Sequence, residues 1–529
     1  MTHYDYIVIG AGSAGCVVAN RLTEDSGTTV LLLEAGNPDT KPEIHIPSAC
    51  VSLLGSEVDW SYFSEPEPYL CDRKMFCSRG KVLGGSSSIN FMMYIRGNPN
   101  DYDRWRSLGN HGWSYQDVLP YFKKSEHQQR GASEYHGIDG ELSVTDIKPS
   151  ALISKRFIDA CVAMGYDDNP DFNGIQQEGV GPYQLTVKDG KRHSAAAAFL
   201  LPILKRPNLT TMTGALVTRL LFEGTRAIGV EYLQEGTLHQ VRVNQEVILS
   251  AGAFDSPKLL MLSGIGNAEY LQAMEIPLVA DLPGVGQNLQ DHVLVTVVQE
   301  STQAVQPAST SNGIEAGLFL HSEQNLEVAP DLQCFFGPIQ FLAPGYVPAV
   351  YGFTGAVSLT RLPNSGSVRL HSLDPKDAPM LQMNYLQSQA DVQKLVAGIK
   401  LIRQLFQSSA FDEFRGQEIA PSANVRSDEA LETYVRDTCS TLWHPVGTCK
   451  MGIDPMAVVD PELRVHGVEG LRVVDASIMP TITTGNTNSP TIMIGEKAAD
   501  FIKASRDRQT LHLGSFFPTS LEKLSFSKL

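Results

Sequence analysis

The first 34 residues carry the pattern that most narrows the possible folds of this chain. A short apolar run, Tyr6–Ile9, leads into the motif Gly10-Ala-Gly-Ser-Ala-Gly15, and small and apolar residues then follow at helical spacing over 14–22. A second apolar run, Thr29–Leu33, ends at Glu34. The order strand, GxGxxG turn, helix, strand and acid is the dinucleotide-binding fingerprint in its required context. It predicts an α/β unit with parallel strands at the N-terminus.

Each part of this motif has a physical role. Gly10 permits a tight turn, Gly12 lets the backbone approach a pyrophosphate, and Gly15 lets the helix pack closely on the strand. The helix N-terminus offers free N–H groups and a positive dipole end to phosphates. Glu34 is placed to accept hydrogen bonds from a ribose diol. A glycine-rich turn without a ligand is the plain alternative, and the motif alone does not separate NAD from FAD.

Composition sets the outer limits of the prediction. A chain of 529 residues is expected to form two domains, or one large domain with insertions. The net charge of −16 argues against a nucleic-acid partner, because phosphate binding needs basic patches. The eight cysteines contain no CxxC pair, which argues against a zinc site. No signal-peptide pattern or membrane-length apolar run is present, so we expect no transmembrane segment and, by default, a cytoplasmic protein.

A second glycine-rich segment spans residues 79–90, with the sequence Arg-Gly-Lys-Val-Leu-Gly-Gly-Ser-Ser-Ser-Ile-Asn. Glycines and hydroxyl groups close to a helix start can form a second phosphate-binding nest. On composition alone, a serine-rich connector accounts for the segment equally well.

Together with this segment, several long motifs in a fixed order resemble the glucose–methanol–choline (GMC) oxidoreductases. The motifs are residues 10–15, 79–90, 252–266, 282–292, 444–452, 473–477 and 485–490. The likeness runs from residue 3 to about residue 503 and extends to the choline-dehydrogenase-like, alcohol-oxidising branch. It implies FAD rather than NAD. It also implies an α/β plus α+β fold, in which a Rossmann-like FAD-binding domain adjoins a substrate-binding domain built on an antiparallel sheet, as in glucose oxidase.

The resemblance implies that both domains are discontinuous. We expect the FAD-binding domain to comprise 1–155, 213–300 and 440–505, and the substrate-binding domain 156–212 and 301–439. In the latter we predict strands at 332–336, 356–359 and 367–371, flanked by helices at 391–406 and 427–438. The tail, 506–529, has no counterpart in the family. Its Phe516, Phe517 and Leu521 could dock on the body, but we expect a frayed terminus.

The resemblance also implies a set of cofactor contacts. Val217 would contact the adenine side through its backbone, Asp475 and Ala476 the ribityl or pyrophosphate portion, and Thr487 and Asn488 the pyrimidine edge of the flavin. The full expected set is Gly10, Gly12, Ser13, Ala14, Gly15, Glu34, Ala35, Val82, Gly84, Gly85, Ser86, Asn90, Met92, Val217, Asp475, Ala476, Thr487 and Asn488.

One position departs from some members of the family. Choline oxidase, for example, attaches FAD covalently through a histidine in the Gly-Gly-x-Ser-Ser segment. That position is Ile89 here, and isoleucine has no nucleophilic atom. We therefore expect bound but non-covalent FAD.

Two residues carry the expected chemistry. Flavin-dependent alcohol oxidation needs a base for the hydroxyl proton, and histidine is the usual base because its pKa lies near neutrality. His444 matches the active-site histidine of the family, although a lone His-Pro pair would favour a structural histidine. Asn486 takes the partner position, where an amide can donate to an alkoxide but cannot act as a base. A simple turn is the alternative for residues 485–488. We interpret His292 as structural, at the domain junction.

We predict FAD-dependent oxidation of a small or aromatic alcohol to an aldehyde or ketone. The alternatives are a hydroxynitrile-lyase-like or photodecarboxylase-like flavoenzyme of the same fold, or a flavoprotein without catalysis. The acceptor could be oxygen or a quinone. The substrate pocket is expected around Phe336 and Phe353, and no specific acid can be named for a quaternary ammonium group.

Overall fold

The structure is a computed structural model, and it describes residues 3–147, 151–308, 310–322, 328–363 and 365–514. Its α-helices are α1 (Ser13–Leu22), α2 (Pro99–Ser107), α3 (Tyr115–Ser125), α4 (Leu152–Ala163), α5 (Gly252–Leu262), α6 (Ala268–Ala273), α7 (Gln389–Gln407), α8 (Asp428–Thr438) and α9 (Asn488–Gly514). Its strands are β1 (His3–Ile9), β2 (Val30–Leu33), β3 (Tyr62–Phe63), β4 (Phe76–Cys77), β5 (Glu126–Gln128), β6 (Leu142–Asp146), β7 (Gly179–Pro182), β8 (Gln184–Leu185), β9 (Val187–Lys188), β10 (Lys191–Arg192), β11 (Leu209–Met212), β12 (Ala215–Glu223), β13 (Arg226–Gln234), β14 (Thr237–Leu249), β15 (Ile265–Gly266), β16 (Ala280–Asp281), β17 (Val293–Ser301), β18 (Ala316–Leu320), β19 (Leu332–Gly337), β20 (Gly352–Leu359), β21 (Ser367–Arg369), β22 (Met380–Gln382), β23 (Arg415–Ala420), β24 (Ser440–Thr441) and β25 (Leu471–Val473).

The last helix continues into the predicted tail, since α9 reaches Gly514. Phe516, Phe517 and Leu521 lie outside the described residues. Within the described ranges, no helix has both the length and the apolar character that a bilayer crossing requires.

The first large sheet contains the predicted N-terminal unit. Its strands run in the order β11-β2-β1-β14-β13-β12, with β25 also paired to β14. The pairs β1–β2, β1–β14, β2–β11 and β14–β25 are parallel. Helix α1 connects β1 to β2, so the strand–turn–helix–strand prediction is confirmed. The glycine motif consequently lies at the carboxyl end of β1, where ligands bind in open parallel sheets.

The glycines of the motif are required by close backbone contacts. Gly10 has a φ of +95°, and a Cβ atom there would lie 2.4 Å from the carbonyl oxygen of Ser250. A Cβ atom at Gly15 would lie 1.9 Å from the carbonyl oxygen of Gly10. At Gly12 a Cβ atom would meet nothing within 4 Å, and one at Gly85 would lie 2.7 Å from the Cα atom of Gly12. The second glycine-rich segment therefore packs directly against the first.

The second large sheet is antiparallel, as the family resemblance implies. Its order is β23-β17-β20-β19-β18-β7, with β24 paired to β17. Helix α7 packs closely on this sheet, because a Cβ atom at Gly398 of the helix would lie 2.5 Å from Val357 of β20. The predicted helices at 391–406 and 427–438 correspond to α7 and α8, and the predicted strands at 332–336 and 356–359 to β19 and β20.

One predicted strand lies elsewhere. Residues 367–371 were expected in the substrate-domain sheet, but β21 pairs with β22 in a separate two-stranded sheet. The backbone N–H of Val368 donates to the carbonyl oxygen of Gly286 at 2.6 Å, and Leu289 exchanges hydrogen bonds with Gly366. These bonds hold the segment against residues 286–289 and away from the large sheet.

The chain passes from one large sheet to the other near the expected domain borders. Strand β11 already belongs to the first sheet, and β17 belongs to the second from Val293. These points lie a few residues from the borders expected at 212/213 and 300/301. The division into domains itself stays a prediction. Both sheets contribute walls to one large cavity.

Candidate active site

The cavity between the two sheets brings most of the expected cofactor residues together. Those that line it are Gly10, Gly12, Ser13, Ala14, Glu34, Ala35, Ser86, Asn90, Met92, Val217, Asp475, Ala476, Thr487 and Asn488. Four expected residues, Gly15, Val82, Gly84 and Gly85, are not among the residues that line the cavity. The backbone N–H of Gly84 donates to the carbonyl oxygen of Ala11 at 2.7 Å, which ties the two glycine-rich segments together.

Glu34 presents a buried carboxylate at the end of β2. The backbone N–H groups of Ala11 and Gly36 donate to its two oxygens at 2.9 and 2.7 Å. Burial raises the pKa of Glu34 to about 7, and these hydrogen bonds partly oppose that rise. Each carboxylate oxygen can accept a further hydrogen bond. The carboxylate thus fits the ribose-binding role expected for it.

Two helix N-termini meet at the cavity wall. Among the described residues no side chain caps the start of α1 at Gly12. The hydroxyl of Ser13 donates to the side-chain oxygen of Asn488, the first residue of α9, at 2.7 Å. Nearby on the wall, the buried hydroxyl of Ser250 has no described hydrogen-bond partner. Free N–H groups, positive helix ends and an unpaired hydroxyl form a donor set that fits the pyrophosphate of a dinucleotide.

Asp475 shapes the same wall by fixing backbone. Its carboxylate accepts from the N–H groups of Gly252 and Ser477 at 2.8 Å each, and from the Ser256 hydroxyl at 2.5 Å. Burial raises the pKa of Asp475, while these hydrogen bonds favour the charged form. The carboxylate therefore joins the start of α5 to the segment after β25, which places Ala476 on the cavity.

The backbone before His444 is held in an unusual conformation. Trp443 has a φ of +59°, which is uncommon for a bulky residue, and such strain is often found at functional sites. Its N–H donates to the Thr441 hydroxyl at 2.7 Å, and its carbonyl accepts from the Arg79 guanidinium. The N–H of His444 donates to Asp291 at 2.7 Å. These bonds fix the direction in which the His444 side chain points.

The His444 ring lies between two polar side chains. Its Nε2 atom is 3.2 Å from the Nδ2 atom of Asn486, and its Nδ1 atom is 2.9 Å from the Nδ1 atom of His292. Burial lowers the pKa of His444 well below its usual value, and His292 and Arg79 lower it further. The ring is therefore neutral at pH 7 and keeps one lone pair. The side-chain oxygen of Asn486 is buried without a described partner.

The cavity wall is largely apolar and contains several aromatic residues. Apart from His444, these are Trp60, Phe91, Phe254, Phe335, Phe336, Phe341 and Trp443. The rings of Phe91 and Trp443 stack, with centroids 6.2 Å apart. Phe336 is among the lining residues, but its ring packs against Phe406 and Phe411, at 6.1 and 5.9 Å, on the face of the sheet that α7 covers. The Phe353 ring packs on the same two residues, at 4.9 and 5.5 Å, so the expectation that Phe353 lines the cavity is wrong.

Three contributors to the site were not assigned to it from the sequence. In the sequence Arg79 stands only in a glycine-rich segment, yet its guanidinium donates to the Trp443 carbonyl. Trp443 was part of the histidine motif without a role of its own. His292 was interpreted as structural, but its ring contacts His444 across 152 residues of sequence. The sequence signal available for His292 was its position in the long family motif 282–292. Its contact with His444 exists only in the tertiary structure.

Comparisons with known proteins show the family of this chain. Two models of the GMC oxidoreductase family match it, one over residues 4–294 and the other over residues 363–495. An oxygen-dependent choline dehydrogenase of Pseudomonas savastanoi pv. phaseolicola is 47% identical over 96% of this chain and 94% of its own. The mitochondrial choline dehydrogenase of Mus musculus is 44% identical, over 98% of this chain and 92% of its own. The crystal structure of pyridoxine 4-oxidase from Mesorbium loti superposes with a TM-score of 0.89 at 32% identity, covering 96% of this chain and 99% of that one.

Proposed function

Because this chain belongs to the GMC oxidoreductase family and is an FAD-dependent enzyme that oxidises alcohols, we propose how its site works and what it oxidises. His444 is the base, Asn486 holds the alcohol oxygen, and choline is the substrate. The alternatives without net alcohol oxidation, lyase-like or photodecarboxylase-like, find no support among these relatives.

The described residues fit FAD. Glu34 would hold the ribose, the N-terminus of α1 the pyrophosphate, and residues 86–92 and 487–488 would adjoin the flavin. When bound, FAD accepts the hydride that leaves the alcohol carbon. Ile89 also lines the cavity, and its side chain offers no atom for a covalent bond. Non-covalent attachment is therefore part of the proposal.

The His444–Asn486 pair carries the proposed proton transfer. The Nε2 lone pair of a neutral His444 accepts the hydroxyl proton, while the Asn486 amide donates to the oxygen that acquires negative charge. As the alcohol becomes an aldehyde, its hydroxyl proton would be held on the Nε2 atom of His444. Low polarity around the pair strengthens both interactions relative to water. Positioned proton transfer of this kind contributes roughly 10²–10⁴-fold to a rate.

The choice of choline rests on one observation, the 44–47% identity to choline dehydrogenases over nearly the whole chain. The aromatic wall is compatible with it, since a quaternary ammonium group binds over aromatic faces, Trp best of all. Trp443 directly precedes His444 in the sequence. Both Trp443 and its stacked neighbour Phe91 line the cavity.

A second substrate class has its own support. The carboxylates among the described wall residues are Glu34, Asp255 and Asp475. Glu34 directly follows β2, Asp255 lies in α5, and Asp475 follows shortly after β25. The wall contributed by the antiparallel sheet is therefore uncharged in its described part. An uncharged aromatic wall suits a neutral aromatic primary alcohol, and the similar fold of pyridoxine 4-oxidase favours that class.

An anaerobic flavin-bleaching assay tests the proposal. The purified holoenzyme would be mixed without oxygen with choline, pyridoxine, benzyl alcohol, 1-hexanol and glucose, and loss of the oxidised flavin band followed. We expect choline to bleach the flavin with the highest ratio of rate to half-saturating concentration. A higher ratio for pyridoxine or benzyl alcohol would select the aromatic class instead. Bleaching by none of the alcohols would contradict the proposed function.

The electron acceptor is proposed separately. Dioxygen is the first choice, because the Pseudomonas relative is described as oxygen-dependent. Reoxidation of the bleached enzyme by air-saturated buffer, compared with reoxidation by a soluble quinone, decides between the two. A cytoplasmic location stays a prediction from the sequence.

A further inference from the structure

His292 lies directly behind the proposed base. It immediately precedes β17, and only 1% of its surface is exposed. Its Nε2 atom is 3.1 Å from the carbonyl oxygen of Thr360, and its Nδ1 atom is 2.9 Å from the Nδ1 atom of His444. The two imidazole rings are almost perpendicular, at 87°. The three groups form a line from a backbone carbonyl to the base.

The carbonyl at one end of this line fixes where the protons lie. A carbonyl oxygen only accepts, so the Nε2 atom of His292 carries a hydrogen and donates it to Thr360. Burial lowers the pKa of His292 to about 4, which keeps the ring neutral. A neutral imidazole has one N–H, so the Nδ1 atom of His292 is an acceptor. The hydrogen between the rings then belongs to the Nδ1 atom of His444.

We infer that His292 is a positioning residue that sets the tautomer of His444, so that the Nε2 atom of His444 carries the lone pair that accepts the substrate proton. The inference rests on the proposed role of His444 as the base. It assigns to His292 no contact with the substrate.

The opposite tautomer of His444 is disfavoured by the same geometry. With its hydrogen on Nε2, two bare nitrogen lone pairs would face each other at 2.9 Å in a buried site. A buried polar group without a partner destabilises the arrangement, and the repulsion between the lone pairs would add to that cost. The Asn486 amide agrees with the inferred tautomer, because its Nδ2 group donates toward the Nε2 atom of His444.

The charged groups nearby do not compete for the ring hydrogens. The Asp291 carboxylate accepts from the backbone N–H groups of His292 and His444, at 2.8 and 2.7 Å, and also from the hydroxyls of Thr441 and Tyr385. Arg79 adds a positive charge close to His444, which disfavours a doubly protonated ring. Asp291 thus anchors the backbone of both histidines, and His292 alone among the described residues orients the Nδ1 side of the base.

Two substitutions at position 292 separate this role from a packing role. In His292→Asn the amide group lies at the level of the Nδ1 atom and can still accept from His444. In His292→Gln the amide reaches the level of the Nε2 atom, keeps the Thr360 contact and offers His444 no acceptor. Both variants carry the same amide group and differ by one methylene, so each serves as the control for the other.

The first measurement needs no substrate. In holoenzyme labelled with ¹⁵N-histidine, the ¹⁵N shifts report which nitrogen of His444 carries hydrogen, and His444→Gln identifies its signals. We expect hydrogen on Nδ1 in the unsubstituted enzyme and in His292→Asn, and a mixture of tautomers in His292→Gln. Hydrogen on Nε2 of His444 in the unsubstituted enzyme would overturn the inference, whatever the stability of the variants.

The second measurement is the anaerobic rate of flavin reduction at saturating choline, or benzyl alcohol if that reduces the unsubstituted enzyme faster. We expect His292→Gln to lose about 10- to 100-fold, and His292→Asn to stay within about threefold. Flavin content and Tm, measured on both, identify a variant that is misfolded. Equal losses in two folded variants would overturn the inference. If His444→Gln itself keeps its rate, the proposed function fails, while the ¹⁵N shifts still decide the tautomer.

Discussion

The Nε2 atom of His444 and the Nδ2 atom of Asn486 lie 3.2 Å apart, although 42 residues separate them in the sequence. His444 follows β24 of the antiparallel sheet, and Asn486 precedes α9, which packs on α1 of the dinucleotide-binding unit. The pair therefore joins the two halves of the molecule at the cavity. An alcohol oxygen that lies beside this pair, within hydrogen-bond distance of both nitrogens, would meet a proton acceptor and a hydrogen-bond donor together.

Replacing the base should remove turnover without removing the cofactor. We expect His444→Gln to reduce the anaerobic rate of flavin reduction by about 10²–10⁴-fold, because an amide cannot take the hydroxyl proton. FAD content should stay close to that of the unsubstituted enzyme. His466→Gln is the matched control, since His466 contacts the backbone carbonyl of Gly452 and does not line the cavity. A near-normal rate in His444→Gln would refute the assignment.

Replacing the amide should cost less. Loss of one donor to a developing oxyanion costs about 10²–10³-fold at most in well-studied cases, so we expect Asn486→Ala to lose about 10- to 100-fold. Asn486→Asp should lose more than Asn486→Ala, because a carboxylate beside His444 repels an alkoxide and favours a protonated ring. The rate of flavin reduction for the three proteins tests this order. A smaller loss in Asn486→Asp than in Asn486→Ala would contradict a donor role for Asn486.

The flavin should leave the protein on denaturation. The side chain of Ile89 lines the cavity at the position that some family members use for covalent attachment. Because it has no nucleophilic atom, precipitation with acid should release yellow flavin into the supernatant. Pelleted protein that stays yellow after washing would show a covalent bond and overturn this prediction.

A buried charge cluster should make stability depend on pH. Burial alone lowers the pKa of His136, but hydrogen bonds to Asp171 and Glu126, at 2.8 and 3.1 Å, outweigh this and raise it above 6.5. A raised histidine pKa stabilises the folded state fully below about pH 6.5, and that stabilisation is lost as pH rises through the folded-state pKa.

Thermal midpoints at pH 6 and pH 9 test this dependence. His136→Gln should lower the midpoint more at pH 6 than at pH 9, because only the protonated ring gains from its two carboxylates. His466→Gln serves as the control, since its described partner is a backbone carbonyl and not a carboxylate. An equal loss at both pH values would contradict the charged contribution of His136.

The N-terminal unit was predictable because its signals are local. The alternation of buried strand, glycine turn and helix within residues 3–34 specifies β1, α1 and β2, and the structure confirms them. Gly10 and Gly15 are required by contacts inside the same unit or with the neighbouring strand. The antiparallel sheet and the roles of His444 and Asn486 were reached only through family resemblance, because each motif in isolation has an ordinary structural explanation.

Other features depended on which surfaces the tertiary structure covers. Phe336 and Phe353 were both expected at the cavity, yet both rings point to the face of the antiparallel sheet that α7 covers, where they pack against Phe406 and Phe411. The segment 367–371 has the pattern of a strand, and its place outside the large sheet follows from backbone hydrogen bonds to residues 286–289.

The sequence by itself determined the dinucleotide fingerprint at Gly10–Gly15, since its residues act through contacts close along the chain. The tertiary structure alone decided what stands on each side of His444. His292 and Asn486 reach its two nitrogens from different elements, at 2.9 and 3.2 Å. The inferred tautomer rests on the contact of His292 with the Thr360 carbonyl, which exists only once β17 and β20 have paired.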